Sequence, residues 1–349
     1  MAQQFRIAVA AMGGDNAPQE IVQGVVRAVS RISGISVILV GQQQKIAACL
    51  NGQAYPQGTI RVHNAEDTIE MQDHPVEAIR HKKDSSMVVA LQLVKNGEAD
   101  AFISAGNSGA VVVGGQGIIG RIRGVQRPPF ASIIPTKNGD LLLLDCGANI
   151  DARPEHLAQW AKLGTIYMQS VFGLEKPRVG IVNIGAEESK GNKLVQEAFP
   201  LLKEMDARGE ITFTGSCEAR DIPVGTCDVA VCDGFTGNVV LKMYEGVARV
   251  LLSEVKAGIY STLKSKIGGL LIKDALKETL KKYDANRYGG APVLGLKSLV
   301  VKMHGSAKAV EVERAIEQCV QFHEQKIAEK ITAYAQQEKA EAERRQNGI

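Results

Sequence analysis

Five apolar runs in this chain each end in a short loop of glycine with Asn, Asp or Ser, and each loop precedes a stretch that can form a helix. The pairs are RIAVAAM with GGDNAP from Gly13, DAFIS with AGNSGA from Ala105, and DLLLLD with CGANID from Cys146. RVGIVN with IGAEESKGN from Ile184 and DVAVC with DGFTGN from Asp233 complete the set. Strands that repeatedly enter helices through short loops predict a mainly parallel sheet with helices on both faces, a three-layer α/β fold. In such a sheet these loops all emerge at the carboxyl edge, where ligands bind. Glycine lets backbone N–H groups approach an anion, and helix N-termini add positive potential. The repeated pattern therefore predicts one composite site for a small anion such as phosphate.

Glycine supplies 36 of the 349 residues, above the roughly 7% average, and the excess falls largely in these loops. The length suits one α/β catalytic domain over residues 1–336, or two lobes sharing a sheet, with a charged tail at 337–349. A net charge of +3, without a zinc-finger, helix-turn-helix or basic aromatic signature, gives no case for nucleic acid. The N-terminus has no signal-type apolar region, and no run of about 18 apolar residues reads as a spanning helix, so a cytoplasmic protein is expected. The six cysteines form no CxxC and the six histidines no HxxxH or HExxH. Buried free thiols are expected, and no metal site.

Further strands are predicted at 36–40, 60–63, 131–135, 211–214 and 299–303, and helices at 17–30, 88–94, 108–119, 154–172, 192–204 and from 307 onward. A long helix from 239 to about 263 and a second at 272–283, separated at Gly268–Gly269, predict a helical hairpin centred on 251–283. The segment NRYGGAP from Asn286 follows.

The loop GGDNAP is neither GxGxxG nor a P-loop, which argues against a nucleotide site. Asp15 either caps the next helix or touches ligand. Asn107 and Ser108 are either N-caps or part of an anion seat. Asp233, Thr236 and Asn238 carry the same two readings. Lys190, beside Gly191, is a solvated lysine or a partner for phosphate or an oxyanion, with Glu187 and Glu188 placed to orient it. His304, directly after LVVKM, is the most site-like histidine. Arg80, Lys82 and Lys83 bind an acidic partner or solvate a face. In the hairpin, Leu252, Val255, Ile259, Leu263 and Ile267 recur at helical spacing, with Leu270, Leu271 and Ile272 nearby. Lys256, Lys264, Lys266, Lys273, Lys277, Lys281 and Lys282 line the same region. The hairpin either packs in a core or dimer interface, or lies on an anionic membrane.

Taken in order, MGGD, KKxSSM, SAGN[ST]GA, DxGANxD, NIGxEExKGN, DGFTGN, YxGAxxxGL and KxHG resemble the PlsX family of acyl-acyl carrier protein:phosphate acyltransferases, over nearly the whole chain. The resemblance implies a fold similar to phosphotransacetylases and isocitrate-type dehydrogenases, a homodimer, and peripheral membrane association. It implies transfer of a fatty acyl group from acyl-acyl carrier protein to inorganic phosphate, with no cofactor. The acyl phosphate would pass to a membrane glycerol-3-phosphate acyltransferase in phospholipid synthesis. Lys190, His304, Asn238 and Asp233 are then the expected catalytic residues. Gly13, Gly14, Asp15, Ser104, Asn107, Ser108, Asn149, Gly191 and Thr236 are the expected phosphate and substrate contacts. Arg80, Lys82, Lys83, Arg121 and Arg123 would receive the acidic carrier protein, and Ile259, Leu263, Ile267, Leu270 and Leu271 the membrane. One position departs from the pattern: the family's DAMGGD reads AAMGGD here, with Ala10 in place of aspartate. Rival readings are an acyl-CoA:phosphate transferase and a catalytically weakened membrane scaffold. A decarboxylating dehydrogenase is disfavoured because its clustered metal-binding aspartates are not evident.

Overall fold

The computed structural model describes residues 4–283 and 288–346. Its elements begin with β1 (Phe5–Ala10), α1 (Gln19–Arg31), β2 (Ile35–Gly41), α2 (Gln43–Leu50), β3 (Ile60–Asn64), α3 (Pro75–His81), α4 (Ser86–Lys95), β4 (Ala101–Ser104) and α5 (Ser108–Gly114). A π-helical segment, Gly115–Ile119, extends α5. Next come β5 (Ala131–Thr136), β6 (Gly139–Leu144), α6 (Pro154–Phe172), β7 (Arg178–Asn183), α7 (Lys193–Ala207), β8 (Thr212–Glu218), β9 (Val229–Val231), α8 (Gly234–Tyr260) and α9 (Leu263–Lys281). β10 (Gly290–Pro292), β11 (Leu299–Met303), α10 (Ala309–Glu324) and α11 (Ile327–Gln346) complete the chain. Asn286 and Arg287 of NRYGGAP, and the last three residues of the predicted tail, lie outside the described residues.

The chain divides into two compact units. Unit 1 takes residues 1–132, 162–175 and 286–349, and its sheet has the order β10-β11-β4-β1-β2-β3. Only β10 runs antiparallel, against β11. β4 and β11 are buried at every position, as strands covered on both faces must be. Helix α1 turns Ile21, Val22, Val25 and Val29 inward. Gly24 lets α10 close on it: a Cβ there would lie 2.5 Å from the Ala309 carbonyl oxygen.

Unit 2 takes residues 133–161 and 176–285, with the sheet order β5-β6-β9-β7-β8. The ladders β6–β9, β9–β7 and β7–β8 are parallel. Two sheets therefore stand where the sequence allowed lobes on one shared sheet. The physical reason is that Leu141–Leu144, Val179–Ile181 and Val229–Val231 are almost wholly apolar and bury one another, which supplies unit 2 with its own core.

Two helix boundaries differ from expectation. The break in the long helical region falls at Ser261–Thr262, not at Gly268–Gly269. Thr262 starts α9 with a reciprocal capping box to Ser265, which satisfies backbone groups that an uninterrupted helix would not need to cap. Gly269 lies inside α9 because the helix packs there on Ile259: a Cβ would be 2.3 Å from Ile259 Cγ2. The helix expected from 307 onward is two helices, broken at Lys326, whose φ is 52°. The second continues through residues 337–346 of the predicted tail, whose Glu, Lys, Ala, Arg and Gln are good helix formers.

Five cysteines are buried, Cys49 is half-buried, and all six are free, as expected. Burial pushes the Cys232 and Cys319 thiols above their ordinary value, which makes them poor nucleophiles. Among the described residues no helix is long and apolar enough to cross a membrane.

Candidate active site

At the carboxyl edge of unit 1, the loops after β1, β4 and β11 pack with no room for side chains. A Cβ on Gly13 would lie 2.8 Å from Gly106 Cα. Gly14 has φ 100°, and a Cβ there would lie 2.8 Å from both Ala105 Cβ and the Gly305 carbonyl oxygen. The Asp15 N–H donates to the Gly305 carbonyl at 2.8 Å, and the Asn16 side-chain amide donates to the Ser306 and Ala307 carbonyls. Gly13, Gly14 and Asp15 thus lock the β1 loop onto the β4 and β11 loops.

Ser104 is buried, and its Oγ accepts from the Gly106 N–H at 3.0 Å. Asn107 caps α5, Oδ1 accepting from the Ala110 N–H at 3.0 Å. Its Nδ2 donates to the carbonyls of Glu70, Met71 and Asp73 at 3.3, 3.0 and 3.0 Å. Asn107 is therefore a cap that also ties down the 70–73 loop. Ser108, the first residue of α5, is exposed. His304 is exposed too, and its Nδ1 accepts from the Ser306 N–H at 3.3 Å, which leaves Nε2 to carry the proton of the neutral ring.

Lys302 entered above only as the lysine of KxHG, with no role attached. This side chain is buried at the end of β11, and its Nζ donates to the carbonyls of Ala105, at 3.4 Å, and Met303. A lysine inside the apolar strand LVVKM was the available signal.

The basic candidates of unit 1 differ among themselves. Arg80, Lys83, Arg121 and Arg123 are exposed. Lys82 is half-buried, donating to Asp73 at 2.7 Å and to the Thr68 carbonyl at 2.8 Å. Hydrogen bonding to Lys82, aided by the Glu70 N–H, holds the Asp73 carboxyl below its ordinary range, and Asp73 raises Lys82 in turn.

At the carboxyl edge of unit 2, Asp145 is fully buried and organises the loop after β6. Its Oδ1 accepts from the Ala148 N–H, and its Oδ2 from the Asn149 N–H and Nδ2 at 2.6 and 3.0 Å. The Asn149 carbonyl accepts from the Gly234 N–H at 2.8 Å. A Cβ on Gly237 would lie 1.9 Å from the Asp145 carbonyl oxygen, so the first turn of α8 sits directly on this loop.

Asp233 caps α8, accepting from the Thr236 N–H at 2.9 Å and from the Thr236 hydroxyl at 2.7 Å. Asn238 is exposed one turn further on, its Nδ2 3.6 Å from where a Cβ on Gly147 would be.

The loop after β7 is shaped by Asn183. Its Oδ1 accepts from the Ile184 N–H at 2.8 Å, and its amide donates to Ser216 Oγ and the Lys190 carbonyl. Gly191 has φ 96°, and a Cβ there would lie 2.6 Å from Asn183 Oδ1. This turn presents an exposed Lys190 just before Asn192, which caps α7. Glu188 pairs with Lys203, not with Lys190.

Within unit 2 the exposed amide of Asn238, in the first turns of α8, and the Lys190 ammonium, in the loop after β7, stand at one sheet edge, while the Thr236 hydroxyl gives its proton to Asp233. Polar donors and one cation on backbone held this tightly suit an anion that gains charge during reaction. Among the described residues no cluster of three or more His, Cys, Asp or Glu could hold a metal ion.

The fold is similar to that of a phosphotransacetylase from Streptococcus pyogenes, with TM-score 0.58 and 18% identity over 93% of this chain and 95% of that one. A profile of the fatty acid synthesis protein family matches residues 5–330. A phosphate acyltransferase of Clostridium acetobutylicum is 46% identical over 326 residues, covering 93% of this chain and 97% of the relative. One from Clostridium novyi is 45% identical over 333 residues, covering 95% and 99%. The chain belongs to the fatty acid synthesis protein family.

Proposed function

We propose that this chain transfers a fatty acyl group from acyl-acyl carrier protein to inorganic phosphate. A phosphate oxygen attacks the thioester carbonyl, a tetrahedral oxyanion forms, the C–S bond breaks, and acyl phosphate and the carrier thiolate leave. Phosphate is partly dianionic near neutral pH, so it needs positioning and desolvation more than a strong base. A thiol of pKa near 8.5 departs without obligatory protonation.

Two sets of residues serve this reaction. In unit 2, Asn238, Thr236, Asn149 and the Gly191 turn contact substrate, Lys190 offsets oxyanion charge, and Asp233 fixes Thr236. In unit 1, Gly13, Gly14, Asp15, Ser104, Asn107 and Ser108 form or support a phosphate contact, and His304 serves as a proton donor to the thiolate only in its imidazolium form, with Nδ1 released from the Ser306 N–H. The observation that carries the reading is the exposed Lys190 on a loop locked by Asn183 and Gly191, in a chain 46% identical to a phosphate acyltransferase.

Arg80, Lys82, Lys83, Arg121 and Arg123 steer the acidic carrier protein. Charge reversal at the exposed members should raise KM for acyl carrier protein and flatten its salt dependence, and an unchanged KM would remove this role.

The chain also sits peripherally on anionic membrane at the cytoplasmic side, through α8 and α9. Leu263, Ile267, Leu270 and Leu271 are exposed, and Lys256, Lys264, Lys266, Lys273 and Lys277 surround them. Ile259 is half-buried beneath Gly269 and contributes less. The protein acts as a homodimer and hands its product to a membrane glycerol-3-phosphate acyltransferase; sedimentation equilibrium tests the dimer.

Thiol release measured in parallel with acyl-acyl carrier protein and acyl-CoA tests the substrate. Faster turnover of acyl-CoA would transfer the proposal to a phosphotransacetylase-like activity.

A further inference from the structure

We propose that Lys302 is a positioning residue for phosphate, acting through the loop after β4. This rests on the reading that the unit 1 edge serves phosphate. Lys302 is only 8% exposed, and among the described residues it is the only buried lysine or arginine. Its Cα pairs with that of Ser104, and Ser104 pairs with Ala10. Neighbours on one row of a pleated sheet point to the same face, so Lys302, Ser104 and Ala10 leave the sheet on one side.

The ammonium donates to the carbonyls of Ala105 and Met303. Ala105 lies in the loop that carries Ser104, Asn107 and Ser108, and Met303 directly precedes His304 and Gly305. These loops have no slack, since Cβ atoms on Gly13 or Gly14 would collide with Gly106, Ala105 and Gly305. A shift of the Ala105 carbonyl must therefore move the whole loop set.

A lysine ammonium is a compact charge with three donors, so one group can hold both carbonyls and add positive potential to the edge. Buried charge is screened far less than surface charge, and its field reaches a dianion that it does not touch. Methionine, of similar length, would fill the space and supply neither the donors nor the charge.

The test uses the full chain, long-chain acyl-acyl carrier protein, and inorganic phosphate as the varied ligand. In Lys302→Met the KM for phosphate should rise at least tenfold while the KM for acyl carrier protein stays within twofold. Lys302→Arg, which keeps the charge on a wider planar group, should recover part of the loss. An unchanged KM for phosphate overturns the proposal, and so does a loss confined to kcat. If Lys302→Met does not fold, Lys302→Arg decides: a several-fold rise in KM for phosphate supports the assignment and an unchanged KM overturns it. Thermal unfolding separates this proposal from the activity on which it rests. Phosphate should raise the melting temperature of the parent and not of Lys302→Met, and equal shifts overturn the role of Lys302 whether or not the parent releases thiol.

Discussion

Ala10 and Lys302 stand on one register row of the unit 1 sheet, two strands apart, with Ser104 between them. Strand spacing puts their Cα atoms roughly 9–10 Å apart, within the combined reach of a carboxylate and a lysine. Ala10 is 1% exposed, so an aspartate there would be a buried carboxylate and would need a partner. Ala10→Asp should be tolerated in the parent and destabilising in a Lys302→Met background, with a coupling of at least about 1 kcal/mol in a double-mutant cycle. Denaturant unfolding of the four proteins measures it, and additive effects would contradict the pairing. Thiol release by Ala10→Asp should exceed that of the parent.

Asn107 joins a helix cap to three carbonyls of the 70–73 loop. A lost cap costs about 1 kcal/mol, and each further lost hydrogen bond about 1 kcal/mol. Asn107→Ala should therefore lose about 2–4 kcal/mol in urea unfolding. Asn107→Asp keeps the cap acceptor and turns a carboxylate toward carbonyl oxygens, so it should lose at least as much. A cost below about 1 kcal/mol for both would leave Asn107 free for ligand.

The Asp73–Lys82 pair sets a pH window for the same loop. Asp73 is held below its ordinary value, so its contribution is present above an unfolded pKa of about 3.9 and is lost as pH falls through the lower folded value. Lys82 is raised, so its contribution is complete below about 10.4 and is lost only as pH rises through the higher folded value. The melting-temperature difference between the parent and Asp73→Asn should stay flat from about pH 5 to about pH 9 and shrink in stronger acid. A slope near neutrality would contradict the assignment.

Leu263 and Leu270 are exposed on α9, among lysines. Leu263→Asp with Leu270→Asp should abolish most sedimentation with anionic liposomes while leaving far-ultraviolet circular dichroism unchanged. Equal binding by the folded variant and the parent would remove this face from the membrane reading.

Much of the fold was legible in the residues, and for local reasons. The alternation of apolar runs with glycine loops announced parallel strands, and PEHLAQWAKLGTIYMQSVF matched α6 at both ends. Less legible was anything decided by packing across the chain. Gly268–Gly269 looks like a helix break until Ile259 is seen lying against Gly269. Asn107 and Asp233 looked equally like caps and ligands, and each does make a cap bond in the structure. Lys302 was visible in KxHG but had no role there, because one charge inside LVVKM has no meaning until the strand is placed beside Ser104 and Ala10.

Lys190 tests the chemistry itself, since its loop is held by Asn183 and Gly191 whatever its own side chain does. Lys190→Ala should lower kcat by about 10²–10³ with little change in melting temperature. Near-parent turnover would remove Lys190 from the reaction.

The most direct measurement is release of free carrier-protein thiol from acyl-acyl carrier protein by the purified chain, with and without inorganic phosphate, and with trapping of the product by hydroxylamine. Thiol release that saturates with phosphate and matches hydroxamate formation one for one is the predicted result. Release that is independent of phosphate, or no release in a folded chain, would contradict phosphate as the attacking substrate.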